Sequence, residues 1–349
     1  MRIAFVSLET TRQRSSEGAR RFERVARLLS ERGHEVTFFC GQWWDDYDDT
    51  FTEDGLTYCG VSLGTAAAAF CARLPAVLAA YNPDVIHVRP RPAKQVVAAR
   101  TGGTLARAGL VLEWFGDEHQ PGESRRKRWV ATTPDRLITP SEFVRTAVRE
   151  LGAGTEQTRV VPESIDYDLI EMVEPESDVE IVYAHPLEEG ANIQDLLLGL
   201  AELREREWSA TIVGDGPKRA AYEQEAADLR IDDRVDFVGA CPRERRLAIY
   251  RGAHAFVQTA YREYFATELL WALACGCVGI VEYQAQSSAH ELIENAERSY
   301  RVTNPQQLAD AIVEAGEFEF LTSHDKWKTY DHGAVTNTYL EEYREFTDG

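Results

Sequence analysis

Polar and charged side chains recur in the 349-residue sequence where apolar runs end. The densest set lies between Phe256 and Glu294. The apolar run Ala255 to Gln258 leads to Arg262, Glu263 and Tyr264. The run Val278 to Val281 leads to Glu282, Gln284, Gln286, Ser287 and Ser288. Such groups hold a polar ligand. A carboxylate accepts hydrogen bonds and an arginine neutralises an anion. Serine hydroxyls and backbone amides at a helix start suit an anion as well. Two further strand ends carry His87 with Arg89, and Asp117 with Glu118 and His119.

The elements that must position these groups are legible in the spacing. Leu269, Leu270, Leu273 and Ala274 repeat at near-helical intervals, which predicts a helix over 266–275 stopped by Gly276. Strand, loop, helix, strand, loop, helix is the pattern of a parallel α/β sheet. Ligands of such sheets sit beyond the carboxyl ends of the strands, so both polar loops point at one crevice. The amino-terminal part follows the same pattern. Strands are predicted at 2–8 and 35–40 around a helix at 19–32, with a helix at 65–80 and further strands ending near Arg89 and ahead of Asp117. Ser141 reads as a helix N-cap and Gly152 as that helix's stop. The aromatic, acidic stretch 43–49 reads as a surface loop. The basic run 125–129 reads as a solvated helix face, with a phosphate or membrane patch as the alternative. The acidic segment 171–178 reads as a linker, after which a second βα series begins. There is no repeat of solenoid length.

Composition narrows the classes. Net charge is −20, from 58 acidic and 38 basic residues, of which only five are lysine. This argues against a nucleic-acid binder, which needs a basic footprint. It fits the salt-rich cytoplasm of a halophilic archaeon, where ions screen the self-repulsion. The six cysteines are scattered, and Cys275 with Cys277 is too close a pair for a CxxC metal site. They read as small buried residues of a reducing compartment, and no metal site is expected. The first residues read directly as a strand, with no signal peptide expected. The apolar run 66–80 is broken by Arg73 and Pro75 and is too short to span a bilayer.

The stretch EYFATELLWALACG resembles, without a gap, the E-G-F-G-x-x-x-x-E-A-x-A-C-G pattern of GT-B glycosyltransferases, in particular the retaining family 4 enzymes (group 1). Glu263 falls on the first glutamate, Phe265 on the aromatic, and Ala272, Ala274, Cys275 and Gly276 on the tail. Trp271 falls on the second glutamate. The opening βαβ with RGHEVTFF, RVVPESID and GDGP also resemble family segments in the family's order, so the resemblance spans nearly the whole chain.

The resemblance implies an α/β GT-B fold, two Rossmann-like domains facing a central cleft. It places an acceptor domain at 1–165, a nucleotide-sugar domain at 166–325, and a helix at 326–349 returning to the first domain. It implies a retaining glycosyltransferase that moves a sugar from a UDP- or GDP-linked donor to a glycan, lipid-linked or small-molecule acceptor. No cofactor or metal is expected, and peripheral attachment to a membrane is compatible with it. Oligomeric state is left open. Family 4 enzymes are generally thought to react on one face of the sugar, the leaving phosphate taking the acceptor proton. Glu263 and His119 are the implied catalytic residues; His119 stands two places from the family's histidine. His185, Arg262, Gly214, Gly239, Glu268, Trp271, Ser287, Ser288 and Glu291 are implied on the donor side. Gly18, His87 and Asp117 are implied on the acceptor or phosphate loop, His87 reading equally as a structural residue at a strand end.

The departures matter. The family's second glutamate bonds the donor ribose, a role tryptophan cannot take because it offers one N–H and an apolar face. In AHPLEEGAN, His185 stands where the family has a phosphate-binding arginine, and the lysine that follows there is absent. Loss of these groups is what a catalytically silent GT-B homologue, acting as a partner or sugar-binding subunit, would show. An epimerase or phosphorylase of the same fold is a further alternative.

Overall fold

The computed structural model describes residues 1–45, 48–117, 124–177 and 179–347. They form two compact units, Met1–Glu163 with Gly333–Gly349, and Ser164–His332. Each is a Rossmann-like α/β half around its own parallel sheet.

The first unit contains β1 (Arg2–Val6), α1 (Glu17–Glu31), β2 (Glu35–Gln42), β3 (Thr50–Glu53), β4 (Leu56–Leu63), α2 (Ala67–Tyr81), β5 (Val85–Val88) and α3 (Ala93–Ala106). Then come β6 (Gly109–Glu113), α4 (Ser124–Thr132), β7 (Arg136–Thr139), α5 (Glu142–Glu150) and β8 (Thr158–Val160). The strand order is β3-β4-β2-β1-β5-β6-β7-β8. Only β3 runs antiparallel, in a hairpin with β4. The central strands are buried on both faces and read accordingly as short apolar runs. Ser16 and Ser141 cap α1 and α5 by accepting the amides of Ala19 and Val144. The run 125–129 lies on α4 with its arginines exposed.

The second unit contains α6 (Tyr167–Met172), β9 (Ile181–Ala184), α7 (Ile193–Glu202), β10 (Ala210–Val213), α8 (Arg219–Asp228), β11 (Val235–Gly239), α9 (Arg243–Gly252) and β12 (Ala255–Gln258). Then come β13 (Arg262–Glu263), α10 (Thr267–Ala274), β14 (Val278–Glu282), β15 (Gln286–Ser287), α11 (Ala289–Ile293), β16 (Ser299–Val302) and α12 (Pro305–Ala315). Its parallel sheet runs β11-β10-β9-β12-β14-β16, and β13 pairs with β15 apart from it. Gly276 ends α10 at φ +98°, and a Cβ there would lie 2.6 Å from the Leu321 carbonyl oxygen. The segment after 325 stays with this unit at first: Trp327 is buried and Asp331 bridges Ile165.

The last helix, α13 (His332–Arg344), supplies Val335, Tyr339, Leu340 and Tyr343 to the core of the first unit. A buried polar network fastens it. Arg21 Nε donates to Glu113 Oε1 at 2.6 Å, and Nη2 donates to the Val161 carbonyl and the Tyr339 hydroxyl. His87 Nε2 lies 3.0 Å from Glu113 Oε2, and its Nδ1 lies 2.6 Å from the Tyr343 hydroxyl. Burial works to raise the Glu113 carboxyl, but Arg21 and His87 overcome it and hold it down at about 2.

Candidate functional site

In the second unit the chain passes from β9 outward to β10 and β11, then returns to the other side of β9 as β12. That reversal is where a doubly wound sheet opens a crevice at its carboxyl edge. His185 follows β9, and Gln258 ends β12. Glu263 lies in β13, just beyond. Its Oε1 accepts a hydrogen bond from Gln258 Nε2 at 2.7 Å and stands 3.4 Å from His185 Nε2. His185 Nδ1 is 2.8 Å from the Pro186 carbonyl. The His185 and Glu263 side chains are 13% and 12% exposed, so each keeps an edge open to a ligand. Gln258 Oε1 is buried with no partner.

Glycines let the neighbouring loops close on this point. Gly214, at φ +136°, could carry no Cβ without meeting the His185 carbonyl oxygen at 2.1 Å. Its amide donates to the Gly239 carbonyl. Both glycines thus act through backbone packing that sets where His185 sits.

The two polar loops are joined directly. β13 and β15 pair in parallel, and the Ser288 amide donates to the Glu263 carbonyl at 2.9 Å. Exposed Arg262 donates to Gln286 Oε1 from Nε and Nη2. The backbone amides expected to face an anion at Ser287 and Ser288 are engaged within the loops. The Ser287 amide is spent on the Gln284 carbonyl and the Ser288 amide on Glu263, and α11 has only five residues. Ser288 Oγ is buried without a partner. Glu291 lies in the first turn of α11, near enough to raise the Tyr330 hydroxyl after burial has done so.

Glu268 and Trp271 share a face of α10, as their spacing predicts, but that face meets α9. The Arg243 guanidinium sits 4.6 Å over the Trp271 ring, and Trp271 is 5% exposed. Glu268 accepts from Arg246 at 2.6 Å and from the Tyr250 hydroxyl at 2.7 Å. Trp271 is a core residue and Glu268 a clamp between helices. Both Glu268 oxygens are thereby engaged by α9.

Two contributors are not evident from sequence. Gln258, a polar residue closing an apolar strand, orients Glu263. Asn192, at φ +50°, donates to the Thr259 carbonyl and to Glu282 Oε2, each at 3.2 Å. Burial, together with a hydrogen bond and the charge of Asp195, pushes the Glu282 carboxyl up to about 8.

In the first unit, the Gly18 amide donates to Asp117 Oδ2 at 3.1 Å, and Arg89 lies 3.8 Å from Oδ1. A Cβ at Gly18 would stand 2.8 Å from that carboxylate, so the glycine permits the approach. His87 is fully buried in the network under α13 and presents no atom to a ligand, which corrects its expected loop role. His119 lies outside the described residues. Among the described residues, no group of three or more His, Cys, Asp or Glu is arranged to hold a metal ion. No described helix is long and apolar enough to cross a membrane.

Two family models match, one for each half of the chain. That described as "Glycosyl transferase 4-like domain" matches residues 17–163, and that described as "Glycosyl transferases group 1" matches 170–330. The chain belongs to the GT-B glycosyltransferases. Solved glycosyltransferase structures share the fold along its length. A glycosyltransferase from Rickettsia africae superposes with TM-score 0.79 at 16% identity, covering 99% of this chain and 98% of that one. Anabaena Alr3699/HepE, solved in complex with UDP, gives 0.76 at 16% identity over 99% and 100%. Sucrose-phosphate synthase from Thermosynechococcus elongatus gives 0.73 at 17% identity over 99% of both. No curated protein sequence matches the chain. The meeting of His185, Gln258 and Glu263 falls inside the part of this glycosyltransferase that matches group 1.

Proposed function

We propose that this glycosyltransferase moves a sugar from a UDP- or GDP-linked donor to a hydroxyl acceptor with retention, and without a metal. The observation carrying this reading is the convergence of Glu263, His185 and Gln258 at the switch point of the second unit. Glu263, held by Gln258, accepts hydroxyl hydrogen bonds from the donor sugar. His185 beside it donates to an oxygen of the diphosphate and offsets charge as the leaving group departs. The anomeric C–O bond to phosphate breaks and the C–O bond to the acceptor forms on the same face. The acceptor proton passes to the leaving phosphate, so no protein nucleophile takes part. Anabaena HepE with UDP supports the choice of a nucleotide donor. We place the enzyme in the cytoplasm, peripheral to the inner face of the membrane.

A second reading is a catalytically silent homologue. It is favoured by Trp271, which fills the position of the family's ribose-binding glutamate and is buried under Arg243. Titration of UDP- and GDP-sugars in molar salt, with product stereochemistry read by NMR, separates the two. Binding followed by an axial-to-axial or equatorial-to-equatorial product supports the enzyme. Intact folding with no binding of any nucleotide sugar supports the silent homologue.

A further inference from the structure

The first unit has its own reversal. From β1 the chain goes outward through β2 to β4 and β3, then returns to the other side of β1 as β5. The crevice rule therefore applies between the ends of β1 and β5 as well. A cavity of about 540 Å³ opens there. Among the described residues four cations line it, Arg14, Arg91, Lys94 and Arg126, against the one acid Glu9. They come from separate segments: the loop after β1, the loop after β5, the start of α3, and α4. Glu9 is met by Arg14 at 3.9 Å. Arg91 and Lys94 form no ion pair among the described residues. The amino-terminal end of α3 adds positive potential on the same side. In a chain of net charge −20, a cavity ringed by cations concentrates the little positive charge available.

We propose that this cavity binds a phosphate group carried by the acceptor, so that the sugar is added to a phosphorylated acceptor. The proposal rests on the transferase reading of the second unit. A planar carboxylate is satisfied by the fork of one arginine. A tetrahedral phosphate dianion presents three oxygens in different directions and is suited to cations arriving from several segments. A sugar phosphate and a phosphorylated lipid headgroup share this chemistry.

The probes are glucose 6-phosphate, glucose and glucuronic acid by titration calorimetry, and phosphatidic-acid vesicles by flotation. Each is applied to wild type and to Arg91→Gln/Lys94→Gln, with UDP titrated against both. The expected result is binding of glucose 6-phosphate but not glucose, weakened about tenfold or more in the variant, with UDP affinity unchanged. Vesicle binding lost in the variant, without glucose 6-phosphate binding, supports the lipid source of the phosphate. Equal binding by both proteins, glucuronic acid binding as tightly as the phosphate, or binding of no phosphate probe overturns the proposal. Should wild type bind phosphate in the Arg91-dependent manner yet not bind UDP, the transferase reading fails and the pocket stands. Equal thermal midpoints of the two proteins check that the variant is folded.

Discussion

Glu263 takes its orientation from Gln258 and its electrostatic company from His185, so its charge is what a ligand meets. Glu263→Gln keeps the volume, removes the charge, and swaps one acceptor atom for a donor. Transfer should fall roughly 10²-fold, in the range found when one charge-stabilising group is removed, with the urea midpoint unchanged. Rate assays beside urea titrations check both halves. Trp271 should behave oppositely. Trp271→Glu removes a buried ring stacked under Arg243 and costs about 3 kcal/mol of stability, read from the same titrations. A stable variant with a tighter ribose contact would show that α10 can still turn that face to a ligand. That Glu263 and His185 meet is legible in the sequence, because both stand just beyond strand ends, Glu263 on a motif position and His185 where the resemblance has an arginine. Gln258 and Asn192 are not, because their roles depend on contacts across the sheet, and Asn192 reaches Glu282 ninety positions away.

Elements show the same division between local and distant information. The strands and helices around the site follow from apolar runs, capping serines and Gly276. The β3–β4 hairpin does not follow from the reading of 43–49 as a surface loop. Trp44 is buried there, and Trp43 packs edge-on against Phe51 and Tyr58. The missed signal is Asp54-Gly55, both at positive φ as a two-residue hairpin turn requires. The network under α13 is likewise invisible locally, since Arg21, Glu113 and Tyr339 are far apart in the chain. It makes a pH prediction. The Glu113 carboxyl sits at about 2 when folded against an ordinary value of 4.5, so it stabilises fully above about 4.5. That stability is lost as pH falls through 4.5 towards 2. Glu113→Gln leaves Arg21 without its partner and should cost about 3 kcal/mol at neutral pH. The gap to wild type should shrink on acidification, as denaturant titrations across pH would show. Glu282 has the opposite sign. Its folded value of about 8 means that only the folded state keeps the proton between 4.5 and 8, so stability falls as pH rises through that window. Glu282→Gln should flatten this slope, and an unchanged slope would show that the proton is not held by Glu282.

The whole molecule carries 58 acidic against 38 basic residues, and this imbalance sets how it answers to salt. Like charges spread over a compact surface repel one another, and unfolding relieves that repulsion. The Debye length falls from about 10 Å at 0.1 M salt to about 3 Å at 1 M, so added salt removes the penalty mainly from the folded state. A gain of about 2 kcal/mol would raise the thermal midpoint by about 4–8 °C for units of this size. Below about 0.5 M, where screening dominates, the rise should follow ionic strength whichever monovalent anion is used. A dependence on anion identity instead would mean that preferential exclusion, not charge, is responsible. The cation-lined cavity of the first unit must respond the other way. Its attraction for a phosphate dianion is screened by the same ions that relieve the surface. Across one salt titration, stability should climb while affinity for glucose 6-phosphate declines. Parallel thermal melts and calorimetry over that range test both, and a joint rise would place the phosphate-binding energy outside the pocket's charge.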